Sequence, residues 1–548
     1  MNLADGIIVF IFMAFTFYVG SIFYRWVGTA DDFYLAGRKL TPFILAAVIT
    51  ATNVNMYSFI GQAGVAYKHG IQIIWQTWTG NMALVFSGLF VLPILRRLRI
   101  RTIPEFLEMR YSRGVRTFVA FLWVLRLAFW LGVICYTAAI AAQVITGFDS
   151  FTAWILIFTV VAIIYTTLGG MWSVAFTDAM QFVFMLAGAL VVLPLAMSKV
   201  GWWPQLTAQL PKTALTLVSQ QGTYNWKFIL AIFILGIEWA CVDQGLLQRA
   251  FGAESTKTVA KGLVLAGIIT TPFALLWNIP GLASRILNPG LANSDMAVPL
   301  LMANILPNIV LGLVICGLIS SQLSTISSNL NSVATIFASD IYQNLLKRKA
   351  RERDALRMAR IVTFFTGVAM ILFAYWVPVL GGAVNAYLTI IAVMDMPLFI
   401  IAIVYGLLWK RSNWNGAIGG YIAGALAGII GQFFYHLDFN LTTFLSAGVT
   451  LLVTPLISIF TAQPEPEKIR NVWRAKKESR EELESRDVYH IFPQTTRGKL
   501  GLLVYGSGFL LFLIGVLLGS RGVALASFLA VLGMGIYFVG GLWRANTD

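Results

Sequence analysis

Residues 320–342 read SSQLSTISSNLNSVATIFASDIY, and they continue an apolar run, NIVLGLVICGLI (308–319), of the kind that crosses a membrane. Eleven Ser, Thr or Asn side chains precede the first charge, Asp340. At helical spacing, Ser321, Ser324, Thr325, Ser328, Asn331, Ser332 and Thr335 fall on one face. A polar stripe facing lipid is costly, so this face should look into the protein or into a water-filled cavity. Hydroxyl and carbonyl oxygens are what a hard cation such as sodium prefers. Small hydroxyls also let helices pack closely, but that needs only a few small residues, not a continuous oxygen-bearing arc.

The rest of the chain has the composition of a membrane protein: 58% of its 548 residues are hydrophobic and 11% charged. About fifteen apolar runs long enough to span a bilayer follow one another, at 5–24, 41–67, 72–95, 117–146, 150–168, 172–198, 226–250, 261–286, 298–342, 358–378, 383–409, 414–436, 440–461, 500–519 and 522–543. The expected class is therefore an all-α polytopic membrane protein. The net charge of +15 does not point to nucleic acid, because the excess Lys and Arg sit in short loops. Those loops, 96–116, 347–360, 410–411 and 465–499, fall on one side if every span crosses once. The positive-inside rule makes that side cytoplasmic, with the N-terminus outside and the C-terminus inside the cell membrane. The first 23 residues lack a basic n-region and read as a retained span rather than a signal peptide. Cys135, Cys241 and Cys316 are far apart in apolar runs and suggest no disulfide. His69, His436 and His490 are not grouped, and no nucleophile–base spacing appears, so an enzyme is the least favoured class.

Two spans are interrupted. AAVITATNVNMYSFIGQAGVAY (46–67) carries the poor helix formers Thr52, Asn53, Val54 and Asn55, followed by Gly61 and Gly64, so a helix there should loosen and free its carbonyls. The span 226–250 carries Glu238, Trp239, Asp243, Gln244 and Gln248 in an otherwise apolar stretch. Counted from the second span, these are helices one and six, the spacing of an inverted-repeat transporter with its site at the midplane. The organisation read from this is an extra helix and loop (1–40), a first repeat (41–198), an extracellular loop (199–225), a second repeat (226–409), two further helices (410–464), a charged cytoplasmic segment (465–499) and two C-terminal helices (500–548). Trp202, Trp203 and Pro204 suit a helix lying at the interface, and the mixed charges of 465–499 suggest a solvated helix and linker.

Five segments, in order, carry a family resemblance: ADDFYLAGRKL (30–40), TIPEFLEMRYSR (102–113), GGMWSVAFTDAMQ (169–181), DQGLLQRAFGA (243–253) and LNSVATIFASDIY (330–342). The chain resembles the solute:sodium symporter family, which includes the sodium/glucose cotransporters and the sodium/proline and sodium/sialic acid symporters. The resemblance implies the five-plus-five inverted repeat of the amino-acid transporter superfamily, with extra flanking helices. It also implies a sodium ion held by backbone carbonyls at Ala51, Val54 and Ser321 and by the hydroxyls of Ser324 and Thr325. These are the places the residues themselves indicate, a loosened helix opposite an oxygen-lined one. A second sodium, as in some members, would use Asp178, Ser327 and Ser328.

For the solute the pattern departs from the sugar-binding members. Thr77 stands where they have a glutamate and Thr270 where they have a lysine. Thr389 and Ser58 replace glutamines, and Trp239 replaces the gate tyrosine. Asn55 and Asp243 lie at the interruptions of the helices expected to line the cavity. Gln76 flanked by Trp75 and Trp78 offers a hydrogen-bonding group beside stacking surfaces, which suits a sugar or polyol, unless the two are ordinary interfacial aromatics. Asp395 is an isolated acid inside a span and, like Glu238 and Asp243, needs a cation, a donor, water or a proton; Arg126 and Arg249 are candidate partners.

The expected function is sodium-coupled import of a small polar solute by alternating access, a sugar or sugar derivative first. An amino acid, carboxylate or vitamin is the alternative solute, and a membrane sensor signalling through 465–499 the alternative class. The expected partners are the solute, sodium ions as the coupling ion and the bilayer, with no other cofactor and no nucleic acid. A monomer is compatible with this reading.

Overall fold

The structure is a computed structural model describing residues 3–23, 38–346, 352–477 and 488–547, with side chains omitted at 17, 19–23, 162, 164–182, 185, 320, 346, 352, 353 and 356. Among the described residues it is helical, apart from loops and one isolated bridge pairing Leu40 with Ala253. Ten helices are long and apolar enough to cross a membrane, thirteen if each sharply bent pair counts as one span. The apolar stretches Leu3–Thr16 and Phe151–Val161, each part of a longer helix, add to these among the described residues.

After α1 (Leu3–Phe23), α2 (Pro42–Asn53) begins with a proline in its first turn, where the missing N–H costs nothing. It stops where the sequence predicts. Val54 is extended, and nearby polar side chains turn back on the backbone: Thr52 Oγ1 donates to the Val48 carbonyl at 2.8 Å and Asn55 Nδ2 to that of Thr52 at 3.4 Å. A π-helical turn, Ser58–Gln62, leads into α3 (Ala63–His69), and the two halves are bent by 52°. α4 (Ile74–Phe86), α5 (Ile103–Arg110) and α6 (Arg113–Thr146) follow. α7 runs unbroken over Phe151–Val200, about 75 Å of helix. The two expected spans, 150–168 and 172–198, are thus one backbone element. The pair Gly169–Gly170 weakens a helix by only about 1 kcal/mol per residue, less than is needed to stop one with apolar flanks. α8 (Trp202–Gln209) leaves it at 65°, with Trp202 and Trp203 exposed, as an interfacial helix would.

The second half repeats the plan. α9 (Trp226–Val242) and α10 (Gln244–Phe251) are bent by 46° about Asp243. Asp243 is extended and its Oδ1 accepts from Leu246 N at 3.0 Å, so the residue that interrupts the span also caps the helix that resumes it. α11 (Thr256–Thr270) and α12 (Leu275–Leu287) come next. The expected span 298–342 is two elements, α13 (Ala297–Ile305) and α14 (Val310–Ile336), the latter continued by a π-helix to Leu346. Pro307 separates them, holding Leu306 extended. Asp5 of α1 accepts from Ile309 N (2.7 Å) and Gly312 N (3.1 Å), satisfying donors that α14 leaves free. α15 (Glu352–Trp376) and α16 (Ala383–Ile390, with π-helical turns on to Tyr405) complete the second half. A broken helix opens each half, as an inverted repeat with its site at the midplane requires.

Outside the core, α17 (Trp414–Ile429) packs on α18 (Phe439–Phe460), Gly416, Gly420 and Gly424 meeting Ser458, Thr454 and Thr450. α19 (Pro466–Arg474) is the described helix of the charged segment; Val472 is buried and Lys468 Nζ donates to the Tyr111 carbonyl at 2.9 Å. It docks on the core rather than standing free in solvent. α20 (Thr496–Gly519) and α21 (Ala526–Thr547) form a closely packed pair that Tyr537 ties to α4 by donating to the Met82 carbonyl at 2.7 Å.

Candidate functional site

The oxygen-rich face of α14 meets the break between α2 and α3. Ser321 Oγ donates to the Val54 carbonyl at 2.8 Å, and Thr325 Oγ1 lies 3.3 Å from the Thr52 carbonyl and 3.0 Å from that of Ser321. Ser324 is buried and its hydroxyl has no hydrogen-bond partner. Ala51 sits in the last turn of α2, where carbonyls lose their intrahelical donors. The residues expected at a first sodium site are therefore neighbours: freed carbonyls on one helix, hydroxyls on another, and one orphaned oxygen. Farther along the face, Ser332 donates to Gln248 Oε1 (3.1 Å) and Gln248 Nε2 to Thr335 (3.0 Å), which joins α14 to α10.

The second expected sodium set is only partly on view. Ser327 and Ser328 both donate to the Ser324 carbonyl, at 3.1 and 2.6 Å, and the Arg249 guanidinium, which also donates to the Gly245 carbonyl, contacts the Ser328 hydroxyl. The side chain of Asp178 lies outside the described residues.

Beside the first set a cavity opens between the two breaks. Asn55, Ser58, Gln76, Thr77, Trp239, Asp243 and Thr270 line it, as expected from the sequence. Three expectations fail. Trp75 and Trp78 face away: Trp75 is wholly buried, donating to the Leu217 carbonyl and packing on Phe512, and Trp78 donates to the Thr271 carbonyl. Only Gln76 of the three reaches the cavity, its Nε2 donating to Tyr57 Oη at 2.8 Å. Thr389 is also off the wall; Tyr387 and Ile391, four apart on the opposite side of the same helix, line it instead.

Asp395, also expected among the solute-binding residues, is not on the wall either: it lies behind it and is met by Arg126. The guanidinium grips both its oxygens (Nε at 3.2 and 2.9 Å, Nη2 at 2.7 Å) while Nη1 donates to Asp243 Oδ2 at 3.1 Å. Trp123 stacks on the same guanidinium at 4.9 Å. Three helices, α6, α10 and the extension of α16, are joined by one side chain.

Several lining residues were not foreseen from the sequence, among them Tyr57, Gln62, Trp130 and Tyr387. Two spacings point to Trp130 and Tyr387. Trp130 is four residues after Arg126, and Tyr387, Ile391 and Asp395 recur every four, so each buried charge marks a cavity face. Gln62 Oε1 accepts from Thr77 (2.9 Å) and from Trp277 Nε1 (3.0 Å). Tyr57, Trp130 and Tyr387 pack ring against ring, with centroids 4.6 to 5.5 Å apart.

Beyond those rings the elements pack closely. Gly61 abuts Ala383 and Val384, and Gly64 abuts the Ser294 carbonyl. Asp295, in the loop before α13, accepts from Ala383 N at 3.4 Å, and burial pushes its carboxyl up to about 6. At the opposite, basic end, buried Asp340 accepts from Thr102 Oγ1 (3.0 Å) and Arg116 Nε (2.7 Å).

The comparisons identify the family and the fold. The model of the "Sodium:solute symporter family" matches residues 33–424. Curated relatives include a sodium/glucose cotransporter 4 of Danio rerio, 26% identical over 88% of this chain and 83% of its own length. A sodium/glucose cotransporter of Vibrio parahaemolyticus is 27% identical over 77% and 85%. Among solved structures, a Na+-coupled sialic acid symporter in a substrate-bound outward-open state superposes with a TM-score of 0.74 at 22% identity, over 85% of this chain and 99% of that one. Mhp1, a nucleobase-cation-symport-1 family transporter in a closed conformation, gives 0.55 at 16% identity, over 81% and 99%. Both show a shared fold.

Proposed function

The chain belongs to the sodium:solute symporter family, and from that premise we propose that it imports a small, uncharged polyhydroxyl solute, a sugar or sugar derivative, together with sodium. Sodium sits between the break after α2 and the hydroxyls of Ser324 and Thr325, where oxygens replace its hydration shell without the cost of deforming a regular helix. Filling that site pulls α2 and α14 together and sets the wall of the solute cavity, so solute binds best when sodium is present. Release on the low-sodium side lets both leave. The excess of Lys and Arg in the short loops on that side supports its being cytoplasmic.

One observation carries the choice of solute. Arg126, the cationic group one would expect to seize a substrate carboxylate, already spends its N–H groups on Asp395 and Asp243. Arg249, the other cation on the wall, donates to the Gly245 carbonyl and contacts the Ser328 hydroxyl. The wall also presents amides, hydroxyls and the rings of Trp130 and Trp239, which match sugar hydroxyls and a sugar's apolar face. The relatives named as sodium/glucose cotransporters agree in solute class.

The test is uptake into proteoliposomes of labelled D-glucose, D-galactose, myo-inositol, sialic acid and L-proline, under an inward sodium gradient and under potassium. Sodium-dependent entry of one of the neutral sugars or polyols is expected. Entry of sialic acid or proline alone would overturn the solute class, and equal rates in potassium would overturn the coupling.

A further inference from the structure

Three carboxyls are gathered around a single guanidinium in the middle of the membrane-spanning core, and one of them is left without a partner. Asp395 and Asp243 are compensated: the first takes three Arg126 contacts, and the second takes one plus the Leu246 amide. Glu238 is wholly buried in α9, one residue before Trp239 of the cavity wall, and neither of its oxygens has a hydrogen-bond donor. Arg126 and Asp395 act on it from α6 and the extension of α16, and Asp243 from the end of its own helix. Tyr387 and Cys241 are the other ionisable groups coupled to it. Among the described residues no group of three or more His, Cys, Asp and Glu is placed to hold a metal ion.

An ionised carboxylate stripped of water and of donors is worth several kcal/mol of penalty, and a further negative charge beside two aspartates already sharing one arginine adds to it. We infer that Glu238 is a proton-binding site of the transport cycle: it holds a proton in this closed-in arrangement. It gives the proton to water when α9 swings to open the cavity, so a proton travels with sodium and solute. The coupling half of this inference rests on the symporter reading above; the protonation half does not.

Infrared spectra of the full chain in lipid nanodiscs at neutral pH decide the protonation. The wild type should show the carbonyl band of a protonated carboxyl that moves in D2O and is lost in Glu238→Gln, whose neutral amide keeps the shape and the sodium-induced thermal shift. Should that variant fold badly, carboxyl-labelled glutamate in the wild type must displace the same band. A spectrum without the band, or a band indifferent to the glutamate label, overturns the site. In proteoliposomes carrying a pH dye, sodium-driven entry of D-glucose or myo-inositol should acidify the lumen in the wild type and not in Glu238→Gln. Solute entry without acidification overturns the coupling. Failure of both sugars to enter counts against the proposed solute instead, and leaves the infrared result to stand by itself.

Discussion

Arg126 is held by two acids from two other helices, so each partner can be removed in turn. Asp395→Asn leaves the guanidinium buried with half its compensation and should lower stability by about 3–5 kcal/mol. An apolar pair, Arg126→Met with Asp395→Leu, should recover most of that loss while leaving uptake impaired, because the Asp243 contact is gone as well; thermal unfolding and uptake, measured side by side, separate the two effects. At the proposed sodium site, Thr325→Ala removes one oxygen without disturbing the Ser321–Val54 contact, and sodium should bind about tenfold more weakly, a difference of about 1.4 kcal/mol. Asp295 lies outside the spans and supplies a pH dependence. Burial holds its folded carboxyl at about 6 against an ordinary 3.8, so between those values the folded chain binds more protons than the unfolded one. Its contribution to stability is therefore full below about 4 and is lost as the pH rises through about 6. Asp295→Asn should flatten that part of the melting-temperature profile, and an unchanged profile would remove the role.

In the proposed cycle the broken helices are the moving parts, and their tightest contacts are the ones that would have to separate. A methyl group at Gly64 would lie 2.7 Å from the Ser294 carbonyl, closer than atoms can sit, so Gly64→Ala should drive α3 from the loop that covers it. With Ser58→Cys as reporter in a background lacking the native cysteines, a membrane-impermeant thiol reagent applied on the α3 side should label the Gly64→Ala protein faster; equal rates would mean that the face opens elsewhere. These breaks were legible in the sequence because their causes are local: the polar side chains of Thr52 and Asn55 bond back to the chain, and Asp243 caps α10. The stripe on α14 was legible for the same reason, since hydroxyls stand out at helical spacing against an apolar background. Which way Trp75 and Trp78 face was not. α4 is packed on nearly all sides, and a helix surrounded by protein carries no amphipathic signal to orient it. Nor did the glycine pair at 169–170 tell where α7 ends.

For the whole molecule, the five-plus-five core was legible because two polar interruptions recur five spans apart, and the family match over 33–424 covers that core. The two C-terminal helices were also legible, but how α20–α21 pack on α4 and how α19 docks were not, because contacts such as Tyr537 on the Met82 carbonyl and Lys468 on that of Tyr111 join residues more than 350 apart in the chain. Coupled transport by this chain requires above all that sodium bind where α14 faces the break after α2. Equilibrium binding of radioactive sodium to the purified wild type and to Ser324→Ala with Thr325→Ala measures it without knowledge of the solute. Saturable binding to the wild type that weakens at least about tenfold in the variant, with both proteins folded, is the predicted result. Superimposable isotherms would contradict it and place the coupling ion somewhere else in the fold.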